Sequence, residues 1–414
     1  MIRPELLLRC LLAAGSLPPA AALPAPDVRP VTFAQVRAWA EAEGPEVGLA
    51  LARERASLAD VRVAGVLPNP TLTVTHATRS VHLGATVSLP LRLFGQRGTA
   101  IEAARADLGA ARLDTRALQQ EARWSATNAW VDAWEAEGRA RLLDDAAAQA
   151  DRLAAIAQVQ YDAGLVPRVD VVRARADAAA ARADAEEARA AIDAAAARLA
   201  LWLPVAGGAP RAAGAPGFPA ELPSIETLRT AFLRQPALRR GRAQVEAASA
   251  HVRAQRRQRW PTLVPEFTLA YDDPTLPGSE IAVGIALDVP LLDFQGHAIA
   301  RAEADLALAR TTEATDARQL EMQFEDACHR ARGAGRKAAL LRAEAVPELE
   351  QALHMTLEGY RDGRVPLLAV LDAQRTLRDT RLTALAAEAD WQRAYADVER
   401  SVGARLDREV SHAP

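Results

Sequence analysis

The chain has 414 residues, of which half are hydrophobic but only 4% are aromatic, and its mean hydropathy is −0.08. Alanine supplies much of the apolar content, which disfavours a compact enzyme core and favours long helices packed through small side chains. The net charge of −3 provides no basic field for nucleic acid, and no window approaches the roughly 18 apolar residues of a membrane-spanning helix. Membrane strands are not excluded, because their alternation keeps the average hydropathy low.

The amino terminus has the pattern of a secretory signal peptide over residues 1–22. An apolar stretch, Leu6–Ala14, is followed by alanines at residues 20–22, which form a small-x-small cleavage site. The alternative interpretation is a disordered tail rich in proline and alanine. Lipidation at Cys10 is not expected, because Arg9 occupies a position where a small residue is required.

The second half of the sequence repeats the first about 200 residues later. Gly98–Ile101 aligns with Gly296–Ile299, and Tyr161–Pro167 aligns with Tyr360–Pro366. This period exceeds the roughly 20–50 residues of solenoid repeats, so it indicates one duplicated half rather than an array.

The duplication divides the chain into successive segments. We predict a first repeat over residues 32–203, a connector over residues 204–223, a second repeat over residues 224–403, and a disordered tail over residues 404–414. Each repeat has the same predicted order: a helix that begins near a proline, two short strands, a very long helix, a Gly-x-x-Pro turn and a shorter returning helix.

Two hairpins are predicted, with strands over residues 71–78 and 81–89 in the first repeat and over residues 264–271 and 280–289 in the second. Each strand alternates apolar residues with small or polar ones. Strands of about nine residues are long enough to cross a bilayer when tilted. Four strands are fewer than the roughly eight of the smallest membrane barrel, so several chains would have to share one barrel. The alternative is two exposed sheets in a soluble α+β protein.

The long helices are predicted over Phe94–Tyr161 and Phe294–Tyr360, and the first would reach about 100 Å. Gly333, Gly335 and Pro347 predict a kink or a break in the second long helix. The returning helix of the first repeat is rich in alanine, which lets two helix backbones approach closely over a long distance.

The sequence lacks the motifs of catalytic and cofactor sites. The seven histidines have no metal-ligand spacing, and there is no nucleophile elbow or phosphate-binding loop. The sequence therefore predicts no enzyme activity, no metal site and no cofactor.

Three motifs resemble the TolC-like outer membrane factors, also called outer membrane efflux proteins. They are Leu67-Pro-Asn-Pro70, Leu89-Pro-Leu-Arg-Leu-Phe-Gly-Gln-Arg-Gly98 and Tyr360-x-x-Gly-x-Val-Pro-Leu-Leu-x-x-Leu-Asp-Ala-Gln374. The resemblance covers nearly all of residues 32–403. The Phe-Gly-Gln-Arg-Gly turn is most similar to the CzcC-like branch, which serves heavy-metal efflux pumps of the resistance-nodulation-division (RND) class.

The resemblance implies a mainly α fold with a small β part and a duplicated half. Three chains would form one α-barrel of long antiparallel coiled-coil helices, and each would contribute four strands to a shared twelve-stranded outer membrane β-barrel. The implied location is the outer membrane, with a periplasmic helical extension. The implied partners are two further copies of the chain, a periplasmic adaptor, an inner membrane RND pump and outer membrane lipid, but no nucleic acid.

The function that the resemblance implies is passive conduction through a tripartite efflux system, from the periplasm to the exterior, with heavy-metal cations as substrates. One alternative is an outer membrane duct for type I protein secretion or drug efflux. A second is a soluble periplasmic coiled-coil adaptor or scaffold. Adaptors carry a β domain between the halves of a hairpin, and residues 204–223 are too short for one.

Three groups of residues are expected to carry this function. The hairpin tips would dock an adaptor through Tyr161, Gly164, Leu165, Val166, Tyr360, Gly363 and Val365. The pore gate and its selectivity would depend on Asp372, Arg364, Asp362 and Arg361. The resemblance implies an acidic ring near Asp372, which would favour cations, while ordinary helix-turn residues and solvated charges are the alternative. The barrel lumen would be lined by His82, Thr86 and Ser88.

Overall fold

The computed structural model describes most of the chain between residues 28 and 406, with five short gaps. The gaps are residues 77–82, 205–207, 220, 274–275 and 291. The predicted signal peptide and residues 407–414 of the predicted tail lie outside the described residues.

The described elements follow the predicted order within each repeat. In chain order they are β1 (Val28–Thr32), α1 (Phe33–Glu43), α2 (Pro45–Gly65), β2 (Thr71–Thr75), β3 (Leu83–Ser88), α3 (Gln96–Asp162), α4 (Arg168–Ala200), β4 (Ala209–Ala213), α5 (Ile225–Phe232), α6 (Pro236–Arg257), β5 (Thr262–Asp273), β6 (Leu276–Asp288), α7 (Gly296–Leu340), a π-helical segment (Leu341–Ala345), α8 (Val346–Arg361) and α9 (Leu367–Val402).

The main core lies where helices of both repeats meet the connector. Trp130 of α3 and Tyr395 of α9 are fully buried there, and the ring of Phe218 stacks on Tyr395 at 4.4 Å. The indole N–H of Trp130 donates to the Val31 carbonyl at 2.8 Å. The connector also supplies β4, which pairs in parallel with β1. The connector is therefore part of the folded body, a role that its composition did not predict.

The first long helix is continuous, and the second contains a π-helical segment. α3 has 67 residues and a length of about 100 Å. The predicted break in the second long helix is absent, because α7, the π-helical segment Leu341–Ala345 and α8 follow one another directly. Pro347 cannot donate a backbone hydrogen bond, and the wider π turn immediately before α8 accommodates that loss without ending the helix.

Helices α3 and α4 pack through a seam of small side chains. Its buried members recur every three or four residues: Ala140, Leu143, Ala147 and Ala150 on α3, and Ala178, Ala181, Ala185 and Ala188 on α4. This spacing keeps one face of each helix against the other in a coiled-coil arrangement. The predicted close approach of the alanine-rich returning helix is confirmed.

The two predicted hairpins join into one antiparallel sheet. Its strand order is β2-β3-β5-β6, so the repeats meet where β3 pairs with β5. Strands β5 and β6, with 12 and 13 residues, are longer than predicted, while β2 and β3 have 5 and 6 described residues. Among the described strands, β2 and β6 are the edges, and each pairs along one side only.

The sheet has one apolar face that its own chain leaves uncovered. One row of cross-strand partners crosses all four strands and consists of Leu72, Val87, Phe267 and Val283. Their side chains are 41–80% exposed. The next row, on the opposite face, consists of Thr73, Thr86, Thr268 and Ala282. The alternation predicted from the sequence therefore separates an apolar face from a face of small and polar residues.

The residues after α9 are packed, unlike the disordered tail predicted from residue 404. Leu406 is buried, and its backbone N–H donates to Glu399 Oε1 at 3.0 Å. Arg405 forms an ion pair with Glu41 at 2.6 Å. These contacts hold residues 404–406 against the main core.

Candidate functional site

The first tip joins α3 to α4 in a tight reversal. Gly164 has a φ of +73°, a conformation that glycine adopts without strain, and its N–H donates to the Tyr161 carbonyl at 2.8 Å. Pro167 then precedes the first turn of α4. The side chains of Leu165 and Tyr161 are 74% and 40% exposed, and Val166 is half-buried. The first tip therefore presents an apolar surface to solvent.

The second tip joins α8 to α9 with the same kind of turn. Gly363 has a φ of +69°, and its N–H donates to the Tyr360 carbonyl at 3.0 Å. The N–H groups of Arg364 and Val365 both donate to the Gly359 carbonyl, at 2.8 and 3.1 Å. The two tips thus have equivalent backbones, as the repeated Gly-x-x-Pro motif predicted.

Tyr360 is buried, which corrects its prediction as a docking residue. It is 5% exposed and packs in a cluster with Leu153 of α3 and with Leu367 and Val370 of α9. Burial, together with the nearby Asp170 carboxylate, raises the pKa of the Tyr360 phenol. Its hydroxyl has no hydrogen-bond partner among the described residues. Tyr360 therefore packs the second tip against the first hairpin.

The predicted gate charges lie at the second tip and on the first two turns of α9. Arg364 and Asp362 form an ion pair, and both side chains are exposed. Asp372 is also exposed, and its carboxylate contributes to a raised pKa of Arg375, one turn further along α9. Arg361 is exposed at the end of α8. The structure therefore brings Asp362 and Arg364 into contact and leaves Asp372 facing solvent in the single chain.

Two arginines of α9 form what we call the arginine clamp, which sequence reasoning missed. Arg375 donates through Nε to Asp177 of α4 at 3.0 Å, and Asp177 is largely buried. The same hydrogen bonding is the main cause of the raised pKa of Arg375. Arg381 reaches Glu350 of α8 at 2.6 Å. The clamp holds α9 to α4 on one side and to α8 on the other.

A groove of about 500 Å³ runs beside the tips, between α3, α8 and α9. Its walls include Ile156 of α3, Leu357 and Arg361 of α8, and Leu377 of α9. Ile156 is 39% exposed, Leu357 is half-buried and Leu377 is buried, so the groove has an apolar floor beside the charged Arg361. We call this surface the tip groove.

Two of the three predicted lumen residues lie on the polar face of the sheet. The hydroxyls of Thr86 and Thr268 are 3.0 Å apart, across β3 and β5. Ser88 is opposite Glu266 in the same strand pair. His82 lies outside the described residues. That this face lines a lumen stays a prediction.

The described residues contain neither a membrane-spanning helix nor a cluster of metal ligands. None of the helices there combines the length and the apolar character needed to cross a membrane. No group of three or more His, Cys, Asp and Glu side chains in the same residues is arranged to hold a metal ion.

The family model of outer membrane efflux proteins matches residues 31–203 and 227–404. The chain belongs to the outer membrane efflux protein family. The two matched segments are the two repeats, and the connector falls between them. Proteins of this family are efflux channels and not enzymes, so we interpret the tips, the clamp and the sheet as parts of a channel.

Individual relatives agree with this assignment. The cobalt-zinc-cadmium resistance protein CzcC of Cupriavidus metallidurans is 25% identical over 347 residues, which is 82% of each protein. The crystal structure of CusC matches with a TM-score of 0.74 and 17% identity. The matched region covers 90% of this chain and 92% of the CusC chain. The Campylobacter jejuni CmeC outer membrane channel matches with a TM-score of 0.74 and 14% identity, over 92% of this chain and 87% of the CmeC chain. The resemblance to the CzcC-like branch and the mainly α fold with a duplicated half are confirmed, and closure of a barrel by three chains stays a proposal.

Proposed function

We propose that three copies of this chain form an outer membrane channel that passively conducts cations from the periplasm to the exterior. The observation that carries the proposal is the exposed cross-strand row of Leu72, Val87, Phe267 and Val283. An apolar face that extends over four strands and is left uncovered by its own chain needs a lipid or protein environment. Strands β5 and β6 exceed the roughly 9–11 residues that cross a bilayer.

The free edges of the sheet support an assembly of several chains. Unpaired edges expose backbone donors and acceptors, which neighbouring strands satisfy. In the proposed trimer, β6 of one copy pairs with β2 of the next, and closure of the ring leaves no edge in the bilayer. Four strands from each of three copies exceed the roughly eight strands of the smallest membrane barrels.

The gate is proposed to lie near the second tip. Three copies of Asp372 around one axis would create a negative potential that favours cations over anions. The arginine clamp would keep each α9 close to its own α4 and α8 and so keep the opening narrow. Opening would then require separation of Arg375 from Asp177.

The cargo and the partners are proposed from similarity and from the tips. The likeness to CzcC, a cobalt-zinc-cadmium resistance protein, favours divalent heavy-metal cations as substrates. A periplasmic adaptor would bind the exposed apolar first tip and the tip groove, and it would connect the channel to an inner membrane pump. Growth of a deletion strain on zinc, cadmium, cobalt and drug panels separates metal cargo from drug cargo.

Ion selectivity in planar bilayers tests the proposal directly. Asp372→Asn keeps the size of the side chain and removes its charge, so the preference for potassium over chloride should fall several-fold. Glu348→Gln, a matched charge removal on an exposed position of α8, should leave the preference unchanged. Unchanged selectivity in Asp372→Asn would show that Asp372 does not set the selectivity. Absence of conductance in the wild type would contradict the proposed channel function.

A further inference from the structure

A second large cavity lies away from the tips, where the connector covers α3, α7 and α9. Its volume is about 1160 Å³, and we call it the connector cavity. Its walls include three aromatic side chains, Trp134 of α3, Phe218 of the connector and Trp391 of α9. This volume is slightly above the roughly 300–1,000 Å³ of pockets that bind small molecules. The cavity is not lined by any of the tip, gate or lumen residues that were predicted from the sequence.

One wall of the cavity contains a buried amide with an unused acceptor. Gln392 is 2% exposed, and its Nε2 donates to Glu388 Oε1 at 3.1 Å. Because the carboxylate can only accept, it fixes the amide with the nitrogen towards Glu388. The Gln392 Oε1 has no hydrogen-bond partner among the described residues. A buried acceptor without a donor is costly, so a donor on a bound molecule would satisfy it.

The opposite wall carries positive charge. Arg332 and Arg336 line the cavity from α7, one turn apart on the same helix face. Neither has a carboxylate partner within the described part of the chain, whereas Arg342 is 3.7 Å from Glu388. Glu221 of the connector is the other acidic side chain of the lining. Two unpaired arginines above an apolar floor are complementary to an anion that carries an apolar body.

The backbone beside the cavity is also irregular. The π-helical segment Leu341–Ala345 places Arg342 in the lining, and Val346 follows it there. Such π-helical turns within α-helices are frequent at functional sites. This observation is independent of the charges and of the unpaired amide.

We propose that the connector cavity binds an anionic amphiphile of small-molecule size that carries a carboxylate, an N–H or O–H donor and an aromatic or aliphatic body. The body packs against Trp134 and Trp391, the carboxylate pairs with Arg332 and Arg336, and the donor binds Gln392 Oε1. The cavity borders the arginine clamp, because Arg381 is also one of its lining residues, but the proposed ligand contacts are made by other side chains.

Dansylglycine is a suitable probe, because it has a naphthalene body, a carboxylate and a sulfonamide N–H, and it accepts energy from tryptophan. Added to the detergent-solubilised full-length protein, it should produce saturable energy transfer from the cavity tryptophans. Dansylsarcosine, which lacks the N–H, should bind several-fold more weakly. Dansylamide, which lacks the carboxylate, should bind at least tenfold more weakly.

Variants assign the binding to the cavity. Replacing Arg332 and Arg336 together by alanine should weaken dansylglycine at least tenfold, while Lys337→Ala, an exposed neighbour outside the lining, should have no effect. Gln392→Leu should abolish the difference between dansylglycine and dansylsarcosine. Ala339→Trp, at an exposed position of the lining, should block binding even if the Gln392 variant does not fold.

Three results would overturn the proposal. They are non-saturable partition of the probe that is equal in every variant, saturable binding that survives both arginine substitutions, and equal affinity for dansylamide, which would indicate a neutral apolar ligand.

Discussion

The two hairpin tips have the same turn but bury different side chains. Tyr161 and Tyr360 are equivalent in the repeats, and each precedes a glycine with positive φ. Tyr161 is 40% exposed beside the exposed Leu165, whereas Tyr360 is buried in a cluster of four helices. The duplication therefore preserved the turn, and the side chains around it determine which tip is open to a partner and which is held to its own chain.

The same divergence affects charge. Asp372 of the second repeat aligns with Arg173 of the first, so a ring of carboxylates would come from the second repeat alone. Arg375 and Asp177 join the second returning helix to the first. The first hairpin thus relies on its alanine seam, and the second relies on Tyr360 and the arginine clamp.

Truncation of the two tyrosines should have very different effects. Tyr360→Ala removes a buried aromatic side chain and should lower the local free energy of opening at the second tip by about 3 kcal/mol. Tyr161→Ala should change the equivalent value at the first tip by less than about 0.5 kcal/mol. Native-state hydrogen exchange at the two turns measures both, and equal effects would contradict the difference between the tips.

Adaptor binding should depend more on the first tip than on the second. Leu165→Ala removes an exposed apolar side chain from the first tip and should weaken adaptor binding about tenfold, as expected for a contact near 1.4 kcal/mol. Leu165 is replaced by Arg364 in the second repeat, and Val365→Ala, at the half-buried apolar position next to it, should have a smaller effect. Surface plasmon resonance with the purified adaptor compares the two, and a larger loss in Val365→Ala would assign docking to the second tip.

Loss of the clamp should favour the open state. Arg375 is half exposed, so its contact with Asp177 is expected to contribute only about 1 kcal/mol, and Arg375→Ala should raise the open population about fivefold. Arg378 lies 3.9 Å from the exposed Asp184, so Arg378→Ala serves as a control with little effect. Single-channel recordings measure the open probability of both variants, and an equal open probability in Arg375→Ala and wild type would exclude a gating role.

The smallest effect is expected from Tyr360→Phe. The buried hydroxyl has no partner among the described residues, so its removal should leave stability unchanged or raise it by less than about 1 kcal/mol. The folded pKa of Tyr360 is raised, so above about pH 10 the unfolded state binds fewer protons than the folded state, and stability falls as the pH rises. Tyr360→Phe should lose this dependence, and an unchanged pH profile would contradict the assignment.

Much of the fold could be predicted from the sequence because local patterns determine it. The repeat, the strand alternation, the long helices and the Gly-x-x-Pro turns are properties of contiguous residues. The burial of Tyr360 and the pairing of Arg375 with Asp177 depend on how two hairpins align, which no local pattern contains. The pairing of β1 with β4 was missed for the same reason, since it joins segments about 180 residues apart. The break predicted near Pro347 was wrong because a local rule takes no account of a π-helical turn, while the kink stays a prediction.

Native mass spectrometry of the detergent-solubilised protein tests whether neighbouring copies complete the four-stranded sheet. We expect a species with the mass of three chains that withstands dilution and separates only when the sheet unfolds. A stable, folded single chain in detergent would mean that β2 and β6 need no partner strand, and it would rule out the shared barrel.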